Sequence, residues 1–152
     1  MKVVKNILSL SIVSVFLASC SYYTDLYIIN KREREVMMTI ELTSDLVEVE
    51  KIDYQLELKY SDSILKVDDN TKNQLDRKIK YETVDSKTIR IELPPKSTIL
   101  LGGGFNGLPK QFKTFSIEKS NMTESLSSKE MEAKAEQKKK SSSPFHFVYV
   151  IE

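Results

Sequence analysis

Lys51-Ile52-Asp53-Tyr54-Gln55-Leu56-Glu57-Leu58-Lys59-Tyr60 alternates without a break between apolar and polar residues. In an extended chain Ile52, Tyr54, Leu56, Leu58 and Tyr60 share one face, and Lys51, Asp53, Gln55, Glu57 and Lys59 share the other. A helix would scatter the same apolar residues around its whole circumference. A two-residue period with one polar face is what an antiparallel sheet with one wetted side requires. The stretch predicts a strand, and with it a β fold.

The same pattern recurs on both sides. Upstream, Asp25 to Asn30 is extended and apolar, Asn30-Lys31-Arg32-Glu33 is a polar turn, and Val36, Met38, Ile40 and Leu42 alternate with Met37, Thr39 and Glu41. Downstream, Ile64 to Val67 is a shorter apolar piece. Asp68-Asp69-Asn70 then reads as a turn, since it lacks the alternate-position ligands and distal Glu of a calcium loop. Ile79, Tyr81 and Thr83 alternate, Asp85-Ser86-Lys87 turns, and Ile89, Ile91 and Leu93 alternate back, which predicts a hairpin. Pro94-Pro95 ends that strand, because proline cannot donate to a ladder. Further strands are expected at Ser97 to Leu101 and around Phe112, Phe115 and Ile117.

Between those two lies Gly102-Gly103-Gly104-Phe105-Asn106-Gly107, which satisfies G-x-G-x-x-G in form. A dinucleotide site needs a helix immediately afterwards, so that its N-terminus meets the pyrophosphate. Leu108-Pro109 and an aromatic strand follow instead, so the stretch reads as a glycine-rich loop or a sheet-crossing bend. Residues 120–143 are rich in Ser, Lys and Glu and read as a mobile, solvated insertion. Ser127 and Glu130 within it stand at capping-box spacing. The chain returns for a last strand, Phe145 to Ile151, apolar on both faces and so expected between neighbours. The fold predicted is all-β, an antiparallel β-sandwich of the immunoglobulin- or transthyretin-like kind, with a small β-barrel as alternative.

The 152 residues carry a net charge of +1, and nothing in that balance points to nucleic acid. Cys20 is the single cysteine, so the fold must hold without a disulfide. His146 is the single histidine. In an aromatic strand it reads as structural, and one imidazole without cysteines is a poor ligand supply for zinc. No G-x-S-x-G elbow is present. The sequence therefore predicts no catalytic residue, no metal site and no cofactor, and a protein that is not an enzyme.

Lys2 and Lys5 precede an apolar run from Ile7 to Ala18, too short for a spanning helix, which ends in Leu17-Ala18-Ser19-Cys20. This segment resembles the signal peptide and lipobox of bacterial lipoproteins. The resemblance implies cleavage between Ser19 and Cys20, a diacylglyceryl thioether on Cys20 carrying palmitate-type chains, and an acylated amino group. Two or more acyl chains anchor stably where one does not. It also implies that Ser21, being other than Asp, permits outer-membrane sorting in enteric-type bacteria. Residues 1–19 would then be the leader, 20–24 a lipidated tether and 25–152 one domain, with a net charge of −1 once both leader lysines are gone.

Two roles fit such a protein. One is a structural or protein-interaction module of the cell envelope, binding an envelope protein partner through a sheet edge or loop. The other is capture of a small molecule or glycan by loop residues, of which Phe105 and Asn106 are the candidates. A deep aromatic-lined pocket at that loop would favour capture, and a flat or strand-edge surface would favour the interaction module.

Overall fold

A computed structural model of the chain describes residues 22–52, 56–119, 122–139 and 145–152. Eleven strands form two sheets. In chain order they are β1 (Tyr23–Asn30), β2 (Val36–Leu42), β3 (Lys59–Ser61), β4 (Arg77–Lys78), β5 (Tyr81–Asp85), β6 (Thr88–Leu93), β7 (Ser97–Phe105), β8 (Phe112–Lys119), β9 (Met122–Ser127), β10 (Glu136–Lys139) and β11 (Phe145–Ile151). Two short helices, α1 (Leu46–Glu50) and α2 (Ser128–Lys134), join them. The first sheet runs β10-β11-β1-β7-β3-β4 and the second β5-β6-β2-β8-β9. The sheets remain separate and do not close into a barrel, so the fold is a β-sandwich.

The core lies between the sheets and follows from the two-residue period. Val36, Met38, Ile40 and Leu42 of β2 are buried against Leu26 and Ile28 of β1, Ile89, Ile91 and Leu93 of β6, and Phe112, Phe115 and Ile117 of β8. Each such fully buried side chain contributes about 1.5–3 kcal/mol. The hairpin at Tyr81–Leu93 forms with Tyr81 opposite Ile91 and Thr83 opposite Ile89. β11 sits between β10 and β1 and buries both of its faces, as its two-sided apolar pattern requires. A second apolar cluster covers the outer face of the first sheet. There Tyr27, Ile29, Leu100 and Val148 pack under Val67 and Leu75 from the segment between β3 and β4.

Several expectations are corrected. The pairing is not wholly antiparallel, since β11 runs parallel to β1, with Asp25 beside His146 and Ile28 beside Tyr149. A parallel pair needs a crossover connection, and here nearly the whole chain supplies it. Among the described residues, the alternating stretch Lys51–Tyr60 is a strand only from Lys59. Helix α1 occupies the chain just before it, with Leu46 and Val49 buried, and Leu58 takes a left-handed φ of 41° that interrupts the extended backbone. Leu58 is nonetheless buried, and Leu56 and Tyr60 pack against the core, so part of the alternation sorts side chains without a ladder. Ile52 is exposed, and Tyr54 lies outside the described residues.

Gly102 to Gly104 is neither loop nor bend. Strand β7 runs straight through the glycines, which pair with Leu26, Asp25 and Thr24, and Leu101 is accommodated by a register shift between Leu26 and Tyr27. The polar segment expected to be a mobile insertion carries β9, α2 and β10. Leu126, Met131 and Ala135 are buried there, the last two one helical turn apart on the face that meets the core. The Ser127–Glu130 capping box forms in full. Finally, β1 begins at Tyr23 and Thr24 is wholly buried, so the sandwich starts two residues before Asp25.

Candidate functional site

Phe105 and Asn106 sit where β7 leaves the sheet. Asn106 has a φ of 59° and Gly107 of 133°, a left-handed pair that Asn and Gly tolerate and most residues do not. The turn grips the start of β1. Tyr22 N donates to Asn106 Oδ1 at 3.0 Å, and Asn106 N donates back to Tyr22 O at 2.9 Å. Thr24 Oγ1 donates to the carbonyls of Gly104 and Gly107. The Tyr23 ring stands edge-on to Phe105, with centroids 5.5 Å apart.

The glycines make this packing possible. A Cβ on Gly103 would lie 1.7 Å from the Tyr23 hydroxyl oxygen, and one on Gly104 would lie 2.8 Å from the Pro109 Cα. The first stretch of chain and the glycine-rich strand are thus one unit.

Beside the turn is an open cleft of about 460 Å³, lined among others by Glu48, Val49, Ile52, Phe105, Asn106 and Lys110. Among the described residues Phe105 is its only aromatic ring. The cleft therefore differs from a deep aromatic-lined pocket. Ser19 and Cys20 lie outside the described residues, and the described chain begins at Tyr22, on this same turn.

A second constellation lies on the outer face of the first sheet, between β1 and β11. His146 Nδ1 is 3.3 Å from Asp25 Oδ2, and its Nε2 is 3.7 Å from Asp69 Oδ1. The Tyr27 ring meets the imidazole edge-on at 5.3 Å. The His146 and Asp25 side chains are 2% and 3% exposed. Burial, and then the negative charges of Asp25 and Glu57, push the Tyr27 hydroxyl far above its ordinary pKa. Glu57 is itself buried and held by Lys72 and Lys59. Among the described residues no group of three or more His, Cys, Asp or Glu is arranged to hold a metal ion. The arrangement links the first and last strands, with the imidazole buried between Asp25 and Asp69. Sequence reasoning missed it because the pairing of Asp25 with His146 joins opposite ends of the chain.

The third feature is the edge strand β5, which is exposed at every residue from Tyr81 to Asp85 and, among the described residues, is bonded on one side only, to β6. The other edge of that sheet, β9, is better covered, with Leu126 in the core. A groove of about 380 Å³ runs beside β5, lined by Ile52, Leu56, Leu58, Ile79 and Tyr81 among others. The Tyr81 hydroxyl donates to Glu50, and that bond raises its pKa. Comparison with protein-family models, with curated proteins and with solved structures finds no match.

Proposed function

We propose that the protein is a bacterial lipoprotein, acylated on Cys20 after cleavage behind Ser19, whose β-sandwich serves as a non-enzymatic interaction module of the cell envelope. The outer membrane is its proposed site, because Ser21 follows the cysteine. The observation that carries the interaction role is β5. A strand exposed along both faces with one edge unbonded among the described residues presents a row of backbone donors and acceptors, a template for another chain. The groove beside it has a mixed lining, with Leu56, Leu58 and Ile79 next to Glu50, Glu57 and Lys78, and suits both apolar and charged side chains of a partner. The cleft at Phe105 and Asn106 supports ligand capture less well, being open and holding a single ring.

The test is photo-crosslinking in intact cells from an unnatural residue at Val84, which is exposed on β5. The reading predicts a discrete adduct with an envelope protein that weakens in the Cys20→Ala variant. No adduct from Val84, with one from Phe105 to a small molecule or glycan, would favour the capture reading instead.

A further inference from the structure

We infer that the end of the sandwich bearing the turn Phe105 to Gly107 lies in the headgroup layer of the bilayer, with Phe105 and Ile52 making apolar contact with phospholipid. The inference deepens the lipoprotein reading and rests on acylation of Cys20.

Its basis is reach. One residue, Ser21, lies between Cys20 and Tyr22, and the two Cα–Cα steps span at most about 7 Å. Tyr22 is fixed to Asn106 by two reciprocal backbone-level hydrogen bonds of 3.0 and 2.9 Å. An acylated Cys20 sits at the boundary between hydrocarbon and headgroups, and the headgroup layer on one side is itself about 5–7 Å thick. No long linker intervenes, so the Asn106 turn must enter that layer or lie directly on it. Strand β1 leads away from this end for eight residues, at about 3.3 Å each, which carries the Glu33 turn well into the aqueous phase.

The surface at that end suits the place. Phe105 is 46% exposed and Ile52 39% exposed, and they line the same cleft. Exposed Phe and Ile side chains of this kind gain by burial at the boundary of headgroups and acyl chains. Lys110 and Glu48 also line the cleft, so its charge is mixed and the apolar pair carries the contact. Attachment of this face should therefore depend little on the anionic lipid content.

The experiment uses the full chain, expressed and lipidated in cells and reconstituted into vesicles of phosphatidylethanolamine and phosphatidylglycerol. An acylated Cys20 has no free thiol, so an environment-sensitive fluorophore enters only an introduced cysteine. Phe105→Cys and Lys110→Cys report the proposed face, and Glu33→Cys reports the opposite end. All three positions are exposed, and Lys110→Cys keeps the Phe105 ring. The expected result is quenching by aqueous iodide several-fold weaker at 105 and 110 than at 33, and unchanged when phosphatidylglycerol is omitted. Equal quenching at all three positions, with acylated Cys20 found by mass spectrometry of the same sample, overturns the inference and leaves the lipoprotein reading standing. Absence of the acyl adduct overturns both.

Discussion

Replacing Gly103 by Ala tests whether the glycines of β7 serve to seat Tyr23. Gly103 has no left-handed backbone angle, so alanine is conformationally acceptable there, and on its own the change would stabilise by about 0.4–1 kcal/mol through the unfolded chain. The new Cβ would, however, lie 1.7 Å from the Tyr23 hydroxyl oxygen, and the ring must leave. Its departure forfeits the edge-to-face contact with Phe105, about 0.5–1.5 kcal/mol. The Lys72 ammonium, 5.9 Å from the ring centroid, adds about 0.5–1 kcal/mol more, and part of the ring's burial is lost as well. The net expectation is a loss of about 2 kcal/mol. In a Tyr23→Ala background the obstacle is gone, and Gly103→Ala should become neutral or slightly stabilising. Gly104→Ala is the control, because its Cβ would meet the Pro109 backbone at 2.8 Å and no rotamer change relieves that. It should destabilise in both backgrounds. Urea unfolding of residues 21–152, followed by far-ultraviolet circular dichroism because the chain has no Trp, reads all of these values. If Gly103→Ala costs the same with and without Tyr23, a coupling below about 0.5 kcal/mol, the reasoning is refuted.

Asn30 is wholly buried and its side chain bonds the carbonyls of Arg34, Leu93 and Pro94 and the amide of Arg32. Asn30→Ala should cost about 2–4 kcal/mol in the same urea assay, since several buried backbone groups lose their partner at once. Lys119 and Lys134 hold the Glu124 carboxyl at about 2, below its usual value of 4.5. Its contribution is therefore present above the usual carboxylate range and is lost as pH falls from about 4.5 toward 2. Glu124→Gln should lose about 1 kcal/mol at neutral pH, after allowance for solvent screening, and should flatten that part of the acid-unfolding curve. His146→Phe removes the imidazole beside the buried Asp25 side chain and leaves that polar group among apolar neighbours, at a cost of about 1–3 kcal/mol. Asp25→Leu combined with His146→Phe should cost less than His146→Phe alone, and thermal melts of the two variants compare them.

The sandwich was legible wherever an alternating run also forms a ladder. Val36 to Leu42, Thr88 to Leu93 and the last strand all behave as their period dictates, because each buries one or both faces, whereas Tyr81 to Asp85 pairs with Thr88 to Leu93 as expected but buries neither face. The Lys51–Tyr60 run shows the limit of that signal. Among its described residues only Leu56, Leu58 and Tyr60 turn toward the core, Ile52 is exposed and the Glu57 side chain is buried, and the backbone turns left-handed at Leu58 and pairs from Lys59 onward. Gly102 to Gly104 misled in the opposite direction. Glycine triplets are usual in loops, and the reason for glycine here is the close approach of Tyr23 and Pro109, two residues that no local pattern associates with it. The polar segment after Ser120 hid a short apolar stripe, since Met131 and Ala135 were outnumbered by lysine and glutamate. As for the site, the chain pointed to Phe105 and Asn106. Their tie to Tyr22 and the Asp25–His146 pairing both depend on contacts between distant parts of the sequence.

The central claim is that Cys20 carries the lipid that holds this sandwich against a membrane. Intact-mass and N-terminal peptide mass spectrometry of the protein extracted from cell membranes tests it most directly. The expected chain begins at Cys20, is heavier than its amino acids by a diacylglyceryl group and an amide-linked acyl chain, and is absent from the membranes of cells expressing Cys20→Ala. A chain that begins at Met1, or one whose Cys20 is a free thiol, would contradict the claim.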